Sequence, residues 1–340
     1  MRKTTSPTPD QWKELFQEAD RFRLKKPWLL LDETDLIAVE NPNTREIGYC
    51  SVMGRGGTHY ALGVYLGDPG LIGFDRVANA DEPMTPDELL HVQDCIMVSF
   101  ENRDELFPQE RNLIKELGLT YRGKNAWPSF RRYEPGYYPW DINAEECEFL
   151  THALRQLMAV IEELGEGKVH IDLTNGMTVL RSSRKENGLL AWTSRPYRLE
   201  MHHPALQLVL YQDELMAERV KRARRLKSVT LQVDTVYAPT PVQDKKGQRP
   251  FFPRIVLVAD QKSGQMIGFQ MYREIREDAK MMTDQIVKYC SEQGRPALIQ
   301  VCSGKALFAL KDFCAKCDIP IKQIDRLISI DRFLQSMPDF

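Results

Sequence analysis

Three runs in quick succession decide the fold of the last third of the chain: Thr230-Leu231-Gln232-Val233-Asp234-Thr235-Val236-Tyr237-Ala238, Arg254-Ile255-Val256-Leu257-Val258-Ala259-Asp260 and Gln265-Met266-Ile267-Gly268-Phe269-Gln270-Met271-Tyr272. Each is rich in β-branched and large apolar residues, the composition of strands. Only Gln261-Lys262-Ser263-Gly264 separates the second from the third, so the two form a hairpin. Helical spacing follows, with Ala279, Met282, Ile286 and Tyr289 on one face. A strand at Ala297 to Val301, a helix from Lys305 to Cys317, a strand at Ile319 to Ile324 and a last helix near Ile330 to Met337 complete the order βββαβαβ(α).

Working outward, Asp213 to Lys227 reads as a helix, and Val169 to Leu173, Leu189 to Thr193 and Leu206 to Tyr211 read as strands. Further back, Asn143-Ala144-Glu145-Glu146 is a capping box. It opens a long helix whose apolar face is Phe149, Leu150, Leu154, Leu157, Ile161 and Leu164, ending at Gly165. The opening helix starts at Thr8-Pro9-Asp10-Gln11, with a capping threonine and proline at the first position. Between these helices lie strand-like runs at Trp28 to Leu31, Leu36 to Val39, Gly48 to Met53 and Tyr60 to Leu66, read as an antiparallel meander. A polar stretch from Asn79 to Glu88, a strand at Cys95 to Phe100 and a short helix at Pro108 to Leu117 follow. The expected organisation is α/β and α+β in two domains: residues 8–165 as an α+β domain with an antiparallel sheet, 166–227 as connecting strands and a basic helix, and 228–340 as the βββαβαβ(α) domain.

A chain of 340 residues suits about two such cores. With 42% hydrophobic and 28% charged residues it is not a disordered composition, and 46 basic against 48 acidic residues leave no global field for nucleic acid or anionic membrane. The longest apolar runs, such as Ile255 to Ala259, are far short of the roughly 20 residues that span a bilayer. Met1 to Asp10 has no apolar stretch of a secretory signal, and an odd number of dispersed cysteines, seven, does not form a disulfide framework. A cytoplasmic protein is expected.

The strand order, with Leu231-Gln232-Val233-Asp234-Thr235 and Val256-Leu257-Val258-Ala259-Asp260-Gln261-Lys262-Ser263-Gly264, resembles the ribonuclease H-like core of transposases and integrases over about Val229 to Met337. The resemblance implies a metal-binding aspartate at Asp234, a further acid at Asp260 and a third on the last helix, where Asp331 stands. It also implies a carboxylate after the fourth strand, but that segment is Ile299-Gln300-Val301-Cys302-Ser303-Gly304 and holds no acid. Phosphodiester chemistry with two metal ions needs several converging oxygen ligands. The whole chain also resembles an uncharacterised bacterial two-domain family, through Pro27-Trp28, Ser51-Val52-Met53-Gly54, Gly63-Val64-Tyr65-Leu66-Gly67, Arg122-Gly123-Lys124-Asn125 and Trp127-Pro128. The expected function is a non-catalytic binding or accessory protein with a degenerate ribonuclease H-like domain and no cofactor. One alternative is a divergent nuclease or nucleotidyl-transfer enzyme using Asp234, Asp260 and Asp331 with Mg or Mn, and another is a protein-interaction scaffold.

Other features have a bland and a functional reading. Arg219, Lys221, Arg222, Arg224, Arg225 and Lys227 are dense enough to neutralise phosphates, but Glu218 with Arg222 is also an ordinary helical ion pair. Tyr121 to Trp140 interleaves rings with Arg122, Lys124, Arg131 and Arg132 and offers a single-strand platform. Its prolines favour a long ordered loop whose rings anchor it by burial. Cys314 and Cys317 share a helix face with Leu307 and Leu310 and read as core rather than redox or zinc ligands. Ser303-Gly304-Lys305 reads as a plain helix start, Gly54-Arg55-Gly56-Gly57 as a hairpin turn, and His202-His203-Pro204 as no metal site.

Overall fold

The computed structural model describes residues 5–80, 84, 86–202 and 205–336. It divides into two compact units, Met1–His203 and Pro204–Phe340. Met337, His203 and Pro204, to which parts of the sequence reading refer, lie outside the described residues, as does part of the Asn79 to Glu88 stretch.

The first unit runs α1 (Pro9–Lys25), β1 (Ile37–Glu40), β2 (Ile47–Met53), β3 (Ala61–Leu66), α2 (Gly67–Ala78), α3 (Pro86–Leu90), β4 (Cys95–Glu101), α4 (Pro108–Glu116), β5 (Trp127–Tyr133), β6 (Trp140–Asp141), α5 (Ala144–Gly165), β7 (Met177–Glu186) and β8 (Leu189–Arg198). Both long helices start where their caps dictate. Thr8 Oγ1 accepts from Gln11 N at 3.2 Å and Gln11 Oε1 accepts from Thr8 N at 2.9 Å. Asn143 Oδ1 accepts from Glu145 N and Glu146 N, and Glu146 returns the bond to Asn143 N. Because side chains alternate along a strand, Ile37 and Val39 pack under the α1 and α5 residues Leu15, Phe16, Phe22, Leu150, Leu154 and Leu157, while Ala38 faces the opposite core with Tyr49, Tyr65 and Leu71.

The eight strands lie in the order β6-β5-β4-β3-β2-β1-β7-β8. Pairing is antiparallel except between β1 and β7, which run parallel with Ala38 opposite Leu180. The sheet is therefore mixed, and it takes in β7 and β8 from the segment expected to connect the domains, of whose expected strands only Leu189 to Thr193 is present. The boundary at residue 165 is corrected to the break between His203 and Pro204, because α5 is the crossover that a parallel β1–β7 pair requires.

Local readings also change. Trp28 to Leu31 is no strand: Pro27–Leu29 is a turn of 3-10 helix, and Trp28 buries its ring against Tyr60 at 4.8 Å between centroids. Val169 to Leu173 and Leu206 to Tyr211 form no strand either. Tyr121 to Trp140 is not one long loop, since β5 pairs with β4 over its whole length and β6 pairs with β5. Helix α2 was hidden by Gly67, Pro69, Gly70 and Gly73, residues of low helix propensity.

The second unit runs α6 (Glu214–Arg222), β9 (Arg225–Tyr237), β10 (Arg254–Asp260), β11 (Met266–Tyr272), α7 (Asp278–Glu292), β12 (Arg295–Val301), α8 (Gly304–Lys316), β13 (Ile321–Gln323) and α9 (Ile328–Ser336). Its sheet order is β11-β10-β9-β12-β13, with β9, β10 and β11 antiparallel and β12 and β13 parallel to β9. An antiparallel trio extended by two parallel strands through α7 and α8 is the ribonuclease H-like core, as the sequence order implies. Leu231, Val233, Val256, Val258, Ile299 and Val301 pack toward α7 and α8. Ile255, Leu257 and Ala259, one residue out of phase, pack toward α9 with Leu327 and Ile330. The helix expected to reach Lys227 stops at Arg222, because Ala223 turns extended at ψ 149° and Arg225 already pairs as strand.

Candidate functional site on the helix α9 face of the second sheet

Asp234 sits in the middle of β9, opposite Leu257, and so projects to the face that α9 covers. Gln232 and Gln300 share that face, and Gln232 Nε2 donates to Gln300 Oε1 at 3.2 Å. The other end of the Gln232 amide accepts from Ser329 N at 2.9 Å, giving one of the free N–H groups at the start of α9 its partner. Cys302 follows β12 directly, and its thiol donates to Asp234 Oδ2 at 3.0 Å. The second Asp234 oxygen accepts from Thr235 N at 2.8 Å.

Burial holds the Asp234 carboxyl above the usual carboxylate range, opposed by the Cys302 and Thr235 hydrogen bonds and the Arg254 charge. Burial likewise pushes the Cys302 thiol up to about 12, with the Asp234 hydrogen bond and the Asp234 and Asp331 charges adding to it. At neutral pH the thiol keeps its proton and is a donor, not a nucleophile. Beside it lies a cavity of about 350 Å³ lined by Cys302, Asp325, Arg326, Asp331, Leu334 and Gln335. Asp331 Oδ2 is 3.4 Å from Arg326 Nε.

Asp260 is not part of this group. It pairs with Leu231, which faces the α7 and α8 core, and its charge acts on Tyr289 of α7. Its Oδ1 accepts from Ser263 N at 2.7 Å and Ser263 Oγ at 2.8 Å, closing the β10–β11 turn. The three sequence candidates thus do not converge: Asp234 and Asp331 both bear on Cys302, whereas Asp260 lies across the sheet. The reason is register, since one position along a strand reverses the face. Among the described residues no group of three or more His, Cys, Asp and Glu side chains could hold a metal ion. A thiol sharing its proton with the single buried carboxylate does not fit a pair of hard cations, which require converging oxygens.

The sequence reading missed a second polar cluster on the opposite face. Asp278, at the start of α7, accepts from Arg254 Nη2 at 2.7 Å, from Tyr272 Oη at 2.7 Å and from Thr235 Oγ1 at 3.2 Å. Arg254 also stacks 4.6 Å from the Tyr237 ring centroid. Nothing local marks these residues, because the β9–β10–β11 register assembles them.

The basic candidates separate cleanly. Arg222 is 82% exposed beside Glu218, 3.3 Å away, and Arg224 and Arg225 are exposed at the start of β9. Arg131 and Arg132, also candidates for a strand, are engaged in internal ion pairs. Arg131 Nη2 lies 2.9 Å from Glu110 Oε2 and its guanidinium 4.1 Å from the Phe107 ring, while Arg132 pairs with Asp94 at 2.5 Å and Glu146 at 3.3 Å. The rings near them pack as the burial reading expects, with Phe16 and Phe130 edge-on at 4.9 Å and Phe16 and Tyr121 stacked at 6.1 Å. Cys314 and Cys317 are buried in the second unit's core, and Ser303 caps α8 by accepting from Ala306 N at 3.1 Å.

Two family models, both described as domains of unknown function, match parts of this chain. A family described as Domain of unknown function (DUF7309) matches residues 12–181, half of the 340-residue chain. Another, described as Domain of unknown function (DUF6930), matches residues 216–338. No curated protein matches. Among solved structures the chain is similar to the HTLV-2 integrase catalytic core domain in complex with magnesium (dimeric form), at 16% identity and a TM-score of 0.24 over 32% of this chain and 65% of that chain. It is also similar to a simian T-cell lymphotropic virus intasome in complex with PP2A regulatory subunit B56 gamma, at 18% identity and a TM-score of 0.23 over 34% of this chain and 42% of that chain. The chain spans less than two thirds of the integrase core domain that it matches. Since the first family match extends over half of its length, the chain belongs to the family described as Domain of unknown function (DUF7309).

Proposed function

We propose that this chain is a binding or accessory protein of the bacterial cytoplasm, in which the ribonuclease H-like unit engages a partner instead of cutting or joining phosphodiesters. One observation carries the reading: the thiol of Cys302 stands 3.0 Å from Asp234 Oδ2 in the place where the resemblance calls for a carboxylate. That contact uses the half-buried acid as the acceptor of the thiol's hydrogen bond, and Asp260 is committed to a turn on the other face. Seven free thiols, six of them buried, suit a reducing compartment.

The partner class that the surface favours is a polyanion. Arg219, Lys221, Arg222, Arg224, Arg225 and Lys227 are all exposed on the second unit. A cluster of that density releases counterions from a phosphate backbone and makes binding salt-dependent. A protein partner is the second reading, supported by the exposed apolar row Ile267, Phe269 and Met271 along the free edge of β11.

The decisive experiment combines Mn²⁺ calorimetry with strand cleavage assays on the wild-type chain and Asp234→Ala. Identical heats and no cleavage by either protein are expected. Mn²⁺-dependent cleavage that Asp234→Ala abolishes would overturn the reading. Charge reversal at Arg222, Arg224 and Arg225 is expected to remove salt-sensitive binding of a single strand, and unchanged binding would exclude that surface.

A further inference from the structure

The first unit contains a hollow that none of the sequence candidates describes. It is an open surface hollow of about 480 Å³, bounded by the segment after β4, by α4 and by the segment leading into β5. That volume falls within the range of small-ligand sites, roughly 300–1,000 Å³. Arg103, Arg111 and Lys115 line it, and no acidic side chain does. Among the described residues none of these three cations has an ion-pair partner, in contrast to Arg131 and Arg132 on the neighbouring strand. An unopposed cluster of two guanidinium groups and an ammonium is a phosphate-binding set.

The rest of the lining is equally specific. Trp127 contributes its indole to the lining, and the Arg103 guanidinium lies over the ring, 5.9 Å from its centroid, so an aromatic surface and a cation stand side by side. Tyr121 backs Trp127 at 5.9 Å between centroids and is held there because its hydroxyl donates to Asp20 Oδ2 at 3.0 Å. Ile114 and Leu119 supply apolar wall, and Asn112 and Thr120 supply hydrogen-bonding side chains. The carbonyl end of α4 would repel an anion, but its last carbonyls are occupied: Ile114 O accepts from Leu119 N and Lys115 O accepts from Gly118 N, each at 3.0 Å.

We propose that this cavity binds a mononucleotide, with the base on the Trp127 ring and the phosphate among Arg103, Arg111 and Lys115. A free nucleotide fits better than a strand of nucleic acid. A strand site needs a basic groove that continues along the backbone. Here the next cations along β5, Arg131 and Arg132, are tied to Glu110, Asp94 and Glu146, so β5 does not continue the basic lining as a groove.

The test is calorimetric titration of the full chain with AMP, adenosine, ribose 5-phosphate, inorganic phosphate and a short oligothymidylate. AMP is expected to bind saturably, and adenosine, ribose 5-phosphate and phosphate each at least about tenfold more weakly, since each lacks half of the recognised chemistry. Arg111→Gln with Lys115→Gln, both at the cavity surface, is expected to weaken AMP binding at least about tenfold with no change in melting temperature. Trp127→Ala should weaken AMP and adenosine but leave the affinity for inorganic phosphate unchanged. Absence of AMP binding at about 1 mM, the weak end of specific recognition, would overturn the proposal. So would AMP affinity indifferent to the Arg111 and Lys115 changes, phosphate binding as tightly as AMP, or oligothymidylate displacing AMP at lower concentration.

Discussion

Cys302 Sγ and Asp234 Oδ2 stand 3.0 Å apart, joining the residue after β12 to the middle of β9. The contact ties a parallel strand pair across the α9 face; Asp234 raises the proton affinity of the thiol, whereas the thiol's hydrogen bond lowers that of the carboxyl, which burial raises by more. Both protonation states follow from burial, so both can be tested by titration.

The Asp234 carboxyl binds its proton more tightly in the folded chain than in the unfolded one, because burial disfavours the anion. From the unfolded value of 3.8 upward, the folded state holds more protons, so this group costs stability as pH rises through its folded pKa and costs none below 3.8. Asp234→Asn keeps an acceptor for the thiol and removes the charge. Its melting temperature is expected to match wild type near pH 3.5 and to exceed it at pH 7, by an amount that grows across the interval. Parallel melting curves over that range would contradict the assignment.

Cys302, pushed up to about 12 first by burial and then by Asp234, should resist alkylation at pH 8.5 while the chain is folded. Asp234→Asn removes the Asp234 charge and leaves burial and an acceptor for the thiol. Iodoacetamide modification of Cys302, followed by peptide mass spectrometry, is expected to be faster in that variant yet slower than in the denatured chain. Equal rates in wild type and variant would mean that the Asp234 charge does not act on the thiol.

Asp278 is the shared acceptor of Arg254, Tyr272 and Thr235, and the Arg254 and Asp278 side chains are 10% and 21% exposed. Asp278→Ala leaves a buried guanidinium without its counter-ion, which costs about 3–5 kcal/mol. Tyr272→Phe removes one hydrogen bond, about 0.5–1.5 kcal/mol. Urea unfolding of the full chain, followed by a probe in the second unit, is expected to rank them in that order.

Gly73 and Gly165 are both helical glycines with opposite expectations. A Cβ on Gly73 would meet Val92 O at 2.4 Å, and backbone cannot move aside as a side chain can, so Gly73→Ala is expected to lose at least about 1–3 kcal/mol. A Cβ on Gly165 meets nothing within 4 Å, and Gly165→Ala at the end of α5 is expected to gain about 0.4–1 kcal/mol. Thermal melts of the two variants give shifts of opposite sign if α2 packs backbone-to-backbone against the segment before β4 as seen.

Much of the secondary structure was legible because it is local. The capping boxes at Thr8 and Asn143, the helical periodicity through Ile286 and the Gln261 to Gly264 turn are encoded within a few residues, and the elements they imply are present. Readings failed where the signal was short or the partner distant. Trp28 to Leu31 has the composition of a strand but no neighbour to pair with, and α2 contradicts its own glycine content because close packing on Tyr65 and Asp94 rewards the missing Cβ at Gly70.

The order βββαβαβ(α), the absence of an acid after β12 and the candidacy of Asp234 were all determined by the chain as written. Which sheet face each acid occupies was not, because that depends on register, and Asp260 and Asp234 differ in parity relative to their partners Leu231 and Leu257. The fate of the arginines was likewise tertiary: Arg131 and Arg132 stood out among the rings in sequence and Arg111 did not, but Glu110, Asp94 and Glu146 pair with the first two, whereas Arg111 lines the hollow with Trp127. Spacing along a chain sets periodicity, whereas charge neutralisation is settled by contacts between residues far apart in it.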